Sequence, residues 1–208
     1  MHTREKTLQE ALHLFSEKGY EAVSVRDIAR AVGVKESSLY NHFRNKQDIF
    51  DSILAEYSHR GAEFFRQYEL AGEDGSFTAD SRTVEVYRHM SGEQLAAMAG
   101  RIFEFYFTDE INTRLRRMLT IEQYRSPESA RLYRKLSFDD SLEYQTKLFE
   151  EMMKAGCFRQ ADPYTLALAF YAPIYLIFCK FDNGGSVAEA RELFERHVRH
   201  FSDTYTIS

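Results

Sequence analysis

An all-α fold is predicted for this chain of 208 residues by three features of its sequence. Only three prolines are present, and no segment clearly alternates Val, Ile or Thr with polar residues, as a half-buried strand would. Apolar residues recur instead at intervals of three and four, which is the spacing of a helix with one buried face. Glycines follow several of these segments, where the end of a helix favours a residue without a Cβ atom.

The N-terminal 60 residues are predicted to form a small three-helix domain braced by a fourth helix. The first helix is expected to run from Thr3 to Lys18 and to end at Gly19. The second is expected to begin after Ser24, which can form a capping box with Asp27 three positions later. One face of each helix is apolar, and these residues are Leu8, Ala11, Leu12, Phe15, Val25, Ile28, Ala29 and Val32. Three helices of this size bury one small core.

A turn at Gly33 and Val34 separates the second helix from a third, and the pair has the pattern of a helix-turn-helix. Gly33 stands where a helix exit needs a positive φ. The third helix is predicted over roughly Glu36 to His42, with Leu39 facing inward. Its other side chains are mostly small, polar or aromatic, whereas a solvated helix would usually carry Lys and Glu. The second helix of such a motif enters the DNA major groove, so we expect this helix to do the same.

Lys46 lies in the first turn of the next helix, where a cation opposes the helix dipole. Asn45 is the expected cap of that helix, with Asp48 three positions later. A nearby phosphate would remove the conflict, because helix N-termini and lysine side chains both bind anions. We therefore expect Lys46 to contact the DNA backbone, the alternative being a solvated lysine.

Residues 7–57 resemble the N-terminal domain of the TetR family of bacterial transcriptional repressors. The residues that carry the resemblance are Ala11, Phe15, Gly19, Tyr20, Val25 to Ala29, Gly33, Val34, Ser38, Leu39, Tyr40, Phe43, Lys46 and Phe50. The resemblance implies a homodimer whose recognition helices bind successive major grooves of a palindromic operator in double-stranded DNA. It also implies that a small molecule bound in the C-terminal domain releases the DNA.

DNA contacts are predicted for the helix-turn-helix and for an N-terminal arm. By position, Ser38, Tyr40 and Lys46 match residues that usually touch phosphates in the family. Thr3 and Arg4 are the candidates for the arm. The complete predicted set is Thr3, Arg4, Ser24, Arg26, Lys35, Glu36, Ser37, Ser38, Tyr40, Asn41, His42 and Lys46.

Three positions in and beside the recognition helix depart from the family pattern. Many relatives have Ser or Thr where Lys35 stands and Lys where Glu36 stands, and His42 replaces a usual Tyr. Glu36 would repel phosphate unless it accepts a hydrogen bond from the N4 amino group of a cytosine. Lys35, Ser37 and Asn41 are therefore candidates for direct base contacts, and the sequence preference is expected to differ from that of relatives.

The net charge of −5 is distributed unevenly along the chain. Residues 1–60 contain nine Lys or Arg and nine Asp or Glu, whereas residues 61–208 contain eighteen and twenty-three. Non-specific affinity for DNA scales with the number of phosphates that a protein neutralises. We therefore expect this affinity to be modest and binding to rely on a few placed contacts in two copies of the domain.

Residues 61–208 are predicted to form a helical effector-binding and dimerisation domain. The fourth helix, from Lys46 to about Tyr68, is long enough to link it to the N-terminal domain. A Gly- and acid-rich loop is expected over residues 71–80. Further helices are expected over residues 81–91, 93–108, 109–124, 127–155, 162–181 and 187–205.

The helix predicted over residues 162–181 is apolar on every side, so all of its faces must be covered. Only one helix follows it in the chain, and a second subunit is the economical explanation. Two antiparallel helices from each subunit would then pair into a four-helix bundle. The predicted interface residues are Leu166, Phe170, Ile174, Leu176, Ile177, Leu193, Phe194, His197 and Phe201.

The same helix contains Pro173, which leaves the carbonyl of Ala169 without its N–H partner and should bend the helix. The bend is either a packing feature or one that opens a cavity beside Tyr171 and Tyr175. The longest apolar run, residues 166–179, has 14 residues and is too short to span a bilayer. No membrane interaction is expected.

A pocket for a small apolar or aromatic effector is predicted among the aromatic residues of the second domain, with a few polar anchors. Most aromatic residues at helical spacing are nevertheless expected to belong to the core. The predicted pocket residues are Phe103, Tyr106, Arg117, Glu122, Tyr124, Phe149, Tyr171 and Tyr175.

No catalytic activity, cofactor or metal ion is expected, since no phosphate loop, nucleophile elbow or zincin motif occurs. His197 and His200 lie three residues apart, but no Cys or carboxylate obviously converges on them. Cys157 and Cys179 lack metal-like spacing, and no signal peptide is evident, so a cytoplasmic location is expected. The alternative function is a DNA-binding regulator or activator that responds to no ligand.

Overall fold

The computed structural model describes residues 3–72, 79–125, 127–182 and 184–207, and it confirms the all-α prediction. Two π-helical turns, Glu104–Thr108 and Lys135–Asp139, follow α6 and α8 directly. An isolated antiparallel bridge joins Phe158 and Thr206. The α-helices are α1 Thr3–Lys18, α2 Val25–Val32, α3 Glu36–Tyr40, α4 Lys46–Arg66, α5 Ser81–His89, α6 Gly92–Phe103, α7 Glu110–Glu122, α8 Pro127–Arg134, α9 Asp140–Lys154, α10 Pro163–Phe181 and α11 Val187–Tyr205.

The predicted helix bounds agree with these to within a few residues. The recognition helix α3 ends at Tyr40 and α4 ends at Arg66, each two residues earlier than predicted. The helix predicted over residues 127–155 is divided by the second π-helical turn. Most of the loop predicted over residues 71–80 lies outside the described residues, as does residue 183 of the turn before α11.

The first of two packing units contains the residues up to Gly61 together with Glu110–Arg134. In it α1 packs against both α2 and α7. The first division of the chain follows Gly61, next to the boundary predicted at residue 60. Residues 110–134 were predicted to belong to the second domain, and in the structure they pack with the N-terminal helices. An amphipathic helix shows in its sequence that one face is buried, and it does not show which surface covers that face. Core residues of this unit include Leu8, Phe15, Ile28, Leu39, Phe43, Ile49, Leu115 and Met118.

The second unit contains Ala62–Asp109 together with the residues from Lys135 onward. α9 and α11 both pack against α10, and α11 also packs against α6. Two buried clusters of described residues lie in its interior. The first consists of Ala99, Phe103, Ile174, Ile177, Phe178, Ala190 and Phe194, and the second of Leu148, Phe149, Met153, Phe158, Leu166, Ala167 and Phe201.

α10 is longer than the 14-residue run recognised in the sequence, because its 19 residues extend to Pro163 and Phe181. By length and composition alone it could cross a membrane. One side of the helix is buried in the second unit, through Leu166, Ala167, Ile174, Ile177 and Phe178. Leu168 and Leu176 are 40% and 66% exposed on the other side.

Pro173 lies inside α10, which continues as a helix on both sides of it. The hydroxyl of Tyr171 donates a hydrogen bond to the carbonyl of Ser137 at 2.5 Å. The ring of Tyr175 packs edge-on against Phe138, with 4.7 Å between the ring centroids. Both tyrosines therefore contact the second π-helical turn. The sequence left two explanations for a bend at Pro173, a packing feature or a cavity beside these tyrosines, and the observed contacts are packing contacts.

Candidate DNA-binding site

The turn between α2 and α3 has the geometry that the sequence predicts. Ser24 and Asp27 form a reciprocal capping box at the start of α2. Gly33 ends the helix with a φ of 81°, in the left-handed region that favours glycine. The N–H groups of Gly33 and Val34 both donate to the carbonyl of Ala29, at 2.9 and 3.0 Å. These bonds set the direction in which α3 leaves the turn.

α3 is held to the domain by Leu39, which is 1% exposed. Ser38 is half-buried, while Ser37, Tyr40, Asn41 and His42 are exposed on the helix and the turn that follows it; Tyr40 is 53% exposed. Lys35 occupies the N-cap position and its side chain makes no capping hydrogen bond. The outer surface of the recognition helix therefore consists of hydroxyl, amide, imidazole and phenol groups.

Glu36, which stands where many relatives have Lys, forms an ion pair with Arg26. The guanidinium Nε of Arg26 donates to its Oε1 atom at 2.8 Å. The bond to Glu36 raises the pKa of Arg26. Arg26 and Glu36, both predicted to contact DNA, thus form an ion pair in the free protein, and the charge of Arg26 is balanced by Glu36.

The predicted N-terminal arm is part of α1 itself. Thr3 is half-buried, and its carbonyl accepts a hydrogen bond from the hydroxyl of Thr7 at 2.7 Å. Arg4 is exposed, and its guanidinium lies 5.7 Å from the centroid of the Phe43 ring. Arg4 is therefore close to the residues that follow the recognition helix, where a phosphate contact is geometrically reasonable.

Lys46 lies at the start of α4 and is held by Tyr20. Its Nζ atom donates to the carbonyl of Tyr20 at 2.9 Å and lies 4.1 Å from the centroid of the Tyr20 ring. Since an ammonium group has three protons, two remain for a phosphate. Asn45 caps the helix as predicted, because its Oδ1 atom accepts from the N–H of Asp48 at 2.9 Å.

These features together define a helix-turn-helix DNA-binding domain: a left-handed glycine turn, a short exposed helix with one buried anchor, and a lysine at the N-terminus of the next helix. Comparison with known proteins gives the same result. The model of the family described as bacterial regulatory proteins, tetR family, matches residues 8–53.

Curated relatives include the biofilm operon icaADBC HTH-type negative transcriptional regulator IcaR of Staphylococcus aureus. It is 26% identical over 198 residues, which cover 94% of each chain. IcaR of Staphylococcus epidermidis is 31% identical over 77 residues, which cover 37% of this chain and 40% of the relative.

Solved structures with the same fold include SmeT, the repressor of the Stenotrophomonas maltophilia multidrug efflux pump SmeDEF. It has a TM-score of 0.67 at 17% identity, with coverage of 100% of this chain and 92% of SmeT. The SmeT–triclosan complex has a TM-score of 0.71 at 18% identity, with coverage of 100% and 93%. Residues 8–53 therefore form a DNA-binding domain of the TetR type, and the chain is a DNA-binding transcriptional regulator.

The residues predicted to line an effector pocket are divided between the two packing units. Arg117, Glu122 and Tyr124 belong to the first packing unit, and Tyr124 is 87% exposed. Phe103 and Phe149 are buried in the two separate clusters of the second unit. The helical spacing of aromatic residues predicted burial and could not distinguish a closed core from a pocket. Three half-buried tyrosines of the predicted set are associated with the π-helical turns. Tyr106 lies in the first turn, and Tyr171 and Tyr175 contact the second.

The residues predicted to form a dimer interface divide into two groups. Five of them are largely buried within the second unit itself, and these are Leu166, Ile174, Ile177, Phe194 and Phe201. Phe170, Leu193 and His197 are half-buried, and the Nε2 atom of His197 lies 2.7 Å from the carbonyl oxygen of Phe170. Leu176 is the predicted residue that is fully available. The sequence could not separate the buried from the exposed residues of α10, because both faces of the helix carry apolar residues.

Tyr20 and Glu122 are two functional candidates that the sequence did not reveal in these roles. Tyr20 appeared only as part of the family resemblance, and Glu122 as a pocket residue. In the structure the backbone N–H of Tyr20 donates to Oε1 of Glu122 at 2.8 Å. The contact joins residues 102 positions apart, so no local sequence pattern indicates it.

Proposed function

We propose that this regulator is a cytoplasmic repressor that binds a palindromic operator as a homodimer and is released by a small apolar or aromatic effector. The negative regulator IcaR and the repressor SmeT, both similar to this chain, support the repressor assignment. The complex of SmeT with triclosan supports the small-molecule effector. The proposal assigns no catalytic step to the chain.

The observation that carries the proposal is the exposed surface of the recognition helix. Tyr40 is 53% exposed although a phenol ring favours burial, and serine, asparagine and histidine side chains surround it on α3 and the next turn. Hydroxyl and amide groups bind phosphates and base edges, and Lys46 supplies a cation beside them. In our proposal Ser38, Tyr40 and Lys46 contact the backbone, while Lys35, Ser37 and Asn41 contact bases.

The second copy is proposed to cover the exposed side of α10. A groove of about 550 Å³ is open along α10 and α11, and its apolar floor includes Pro173, Leu176 and Leu193. Lys180 and Arg196 also line the groove. Polar groups at its edge and the burial of the opposite side of α10 in protein favour a protein partner over a lipid bilayer. The proposed interface is therefore narrowed to Leu168, Leu176, Leu193 and His200 from the two helices.

The effector is proposed to bind in the second unit near the two π-helical turns. Such turns are rare and are frequent at functional sites. The first turn presents half-buried Phe105 and Tyr106, and Phe105 stacks on Phe64 with 4.3 Å between the ring centroids. The second turn provides the Ser137 carbonyl that Tyr171 engages. Aromatic surfaces with a few phenol groups suit a flat, mainly apolar ligand.

Selection of bound sequences from random double-stranded DNA tests the core of this proposal. We expect an enriched palindrome whose half-sites are separated by a whole number of helical turns, as a two-fold symmetric dimer requires. Enrichment of a single half-site would contradict the dimeric mode of binding. Enrichment of no sequence would contradict specific operator recognition.

A ligand screen against the selected operator tests the effector. The regulator is bound to labelled operator, and flat aromatic compounds are compared with aliphatic compounds of similar mass by the anisotropy of the DNA. We expect members of the first group to release the operator at micromolar concentrations. Unchanged DNA binding across the whole set would favour a regulator that responds to no ligand.

A further inference from the structure

Glu122 is a carboxylate buried in the first packing unit, and it takes no part in the proposed DNA contacts. It is 5% exposed at the C-terminal end of α7. Burial of an ionised carboxylate is unfavourable unless hydrogen bonds or an opposite charge compensate. The position of its partners therefore indicates what the carboxylate holds in place.

Glu122 has two partners, the peptide of Tyr20 in the turn that follows α1 and the side chain of Arg125 just after α7. The backbone N–H of Tyr20 donates to Oε1 at 2.8 Å, and Nε of Arg125 lies 3.2 Å from the same oxygen. Gly19 stands directly beneath this pair, with a φ of 80°. A Cβ atom at Gly19 would lie 2.6 Å from Nη2 of Arg125 and 3.0 Å from Oε1 of Glu122. The end of α7 thus lies close to the turn, and the positive φ of Gly19 is the feature that favours glycine there.

Tyr20 transmits this contact to the start of α4. Its N–H is bound by Glu122, and its carbonyl accepts from Nζ of Lys46 at 2.9 Å. Its ring lies under the same ammonium, and its hydroxyl donates to Oε1 of Gln47 at 3.0 Å. The ring also packs against Phe50, with 5.2 Å between the centroids. Each polar group of Tyr20 is therefore engaged, and its carbonyl and its ring together hold Lys46.

We propose that Glu122 is a positioning residue for operator binding, which acts through Tyr20 to orient Lys46 toward a DNA phosphate. The inference rests on the proposed phosphate contact of Lys46. A lysine side chain has many rotamers, and ordering it before DNA binds reduces the entropy lost on association. The carboxylate fixes the Tyr20 peptide, whose carbonyl and ring select one position of the ammonium. Two protons of that ammonium remain for the phosphate.

A double-mutant cycle on operator affinity tests the relay. The variants are Glu122→Ala, Lys46→Gln and the double variant in the full-length protein, measured on the selected operator. We expect Glu122→Ala to weaken binding by roughly fivefold, since it removes a charge-assisted hydrogen bond that orders the contact. In the Lys46→Gln background the same substitution should have an effect within about twofold, because the residue through which it acts is absent.

The salt dependence of binding separates this role from a loss of stability. Removal of one phosphate contact lowers the slope of log K against log salt by about 0.9 per half-site. Lys46→Gln should show this reduction, and Glu122→Ala should show part of it. Glu122→Gln keeps an oxygen that can accept from Tyr20, and we expect it to restore the wild-type slope. Glu110→Ala, which removes an ion-paired carboxylate from the same helix, is the matched control and should change neither quantity.

Each outcome decides the inference. Equal losses for Glu122→Ala with and without Lys46 would overturn it in favour of a general stabilising role. If Glu122→Ala does not fold, the decision passes to Glu122→Gln, for which a loss of affinity that is independent of Lys46 overturns it. If Lys46→Gln changes neither affinity nor slope, the phosphate contact and the relay both fail. Absence of DNA binding by the wild-type protein would instead refute the proposed function.

Discussion

α3 and α10 both present side chains that their own packing unit does not cover, but the two exposed surfaces differ in chemistry. α3 is anchored by Leu39 alone and exposes hydroxyl and phenol groups. α10 buries one apolar side and exposes Leu168 and Leu176 on another. Water can solvate the first surface, whereas the second leaves apolar area in contact with water.

The difference shows how much each surface reveals about its partner. Exposed leucines along a groove favour another apolar surface as the partner, which is why we propose a second copy of the chain there. A polar helix surface is compatible with solvent as well as with DNA. For α3 the assignment therefore needs the glycine turn, the position of Lys46 and the family match as well.

The largest effect is expected from Leu176→Arg, which places a charge in the proposed apolar interface. Transfer of an unpaired charge into such a contact is unfavourable by roughly 3 kcal/mol, which corresponds to about a 100-fold weaker dimer. Operator affinity should fall at least as much, because a monomer engages only one half-site. Sedimentation equilibrium and operator titration at the same protein concentrations measure both quantities.

Tyr124→Arg is the control for this experiment. It also replaces an exposed large hydrophobic residue by arginine, but at a position outside α10 and α11. It should remain a dimer and bind the operator. A dimeric Leu176→Arg variant with normal operator affinity would show that the dimer interface lies elsewhere. The exposed apolar side of α10 would then not indicate its partner any better than the polar surface of α3 does.

The next largest effect is expected from Tyr40→Ala on the recognition helix. The substitution removes a side chain that is 53% exposed, so folding and dimerisation should be retained while operator affinity falls roughly 10- to 100-fold. Tyr40→Phe separates the hydroxyl from the ring, and a similar loss in this variant would assign the contact to the hydroxyl. Wild-type affinity in Tyr40→Ala would mean that a different face of the domain docks on DNA. Circular dichroism and size-exclusion chromatography check that the fold and the dimer are unchanged.

Local features of the chain were predicted well from sequence. Ser24, Gly33 and Asn45 have the capping and turn roles expected of them, because a side chain or a positive φ at one position determines each. The order of the helices was predicted for the same reason, since amphipathic spacing is a local property.

Assignments that depend on distant contacts were predicted poorly. Glu122 was expected to anchor a ligand, and its hydrogen bond to the backbone N–H of Tyr20, 102 positions away, was not anticipated. Ile177 and Leu176 are neighbours of the same chemical type, yet one is 6% exposed and the other 66%. Helical spacing predicts that such residues are covered, and only the packing of α9 and α11 on α10 distinguishes the chain's own core from the surface left for a partner.

A smaller effect is expected from Glu36→Gln, which tests whether the recognition surface is partly neutralised by its own residues. The variant removes the carboxylate that binds Arg26 and leaves a cation free beside α3. Affinity for random-sequence DNA should rise about two- to fivefold per dimer, with a steeper salt dependence. Glu56→Gln removes the same charge from an exposed position on α4 and is the control for net charge. An equal rise in both variants would show that the Arg26 pair has no specific role.

The smallest effect is expected on the stability of the free protein, from Ser24→Ala. Ser24 accepts from the N–H of Asp27 at 3.1 Å, and loss of such an N-cap destabilises a protein by about 1 kcal/mol. Urea unfolding at pH 7 measures this difference. Ser58→Ala, an exposed serine within α4, is the matched control and should be neutral or slightly stabilising because alanine favours helix interiors.

The same cap has a pH dependence whose sign follows from Asp27. The hydroxyl and N–H of Ser24 donate to the Asp27 carboxylate and hold its pKa below the ordinary value. The ionised form is therefore favoured in the folded state, and its contribution is complete above the unfolded pKa of about 3.9 and is lost as the pH falls through the lower folded value. The stability difference between wild type and Ser24→Ala should be constant from pH 7 to about pH 5 and should shrink below about pH 4. A difference that grows on acidification would contradict the ionised capping box and would leave α2 without its expected start signal.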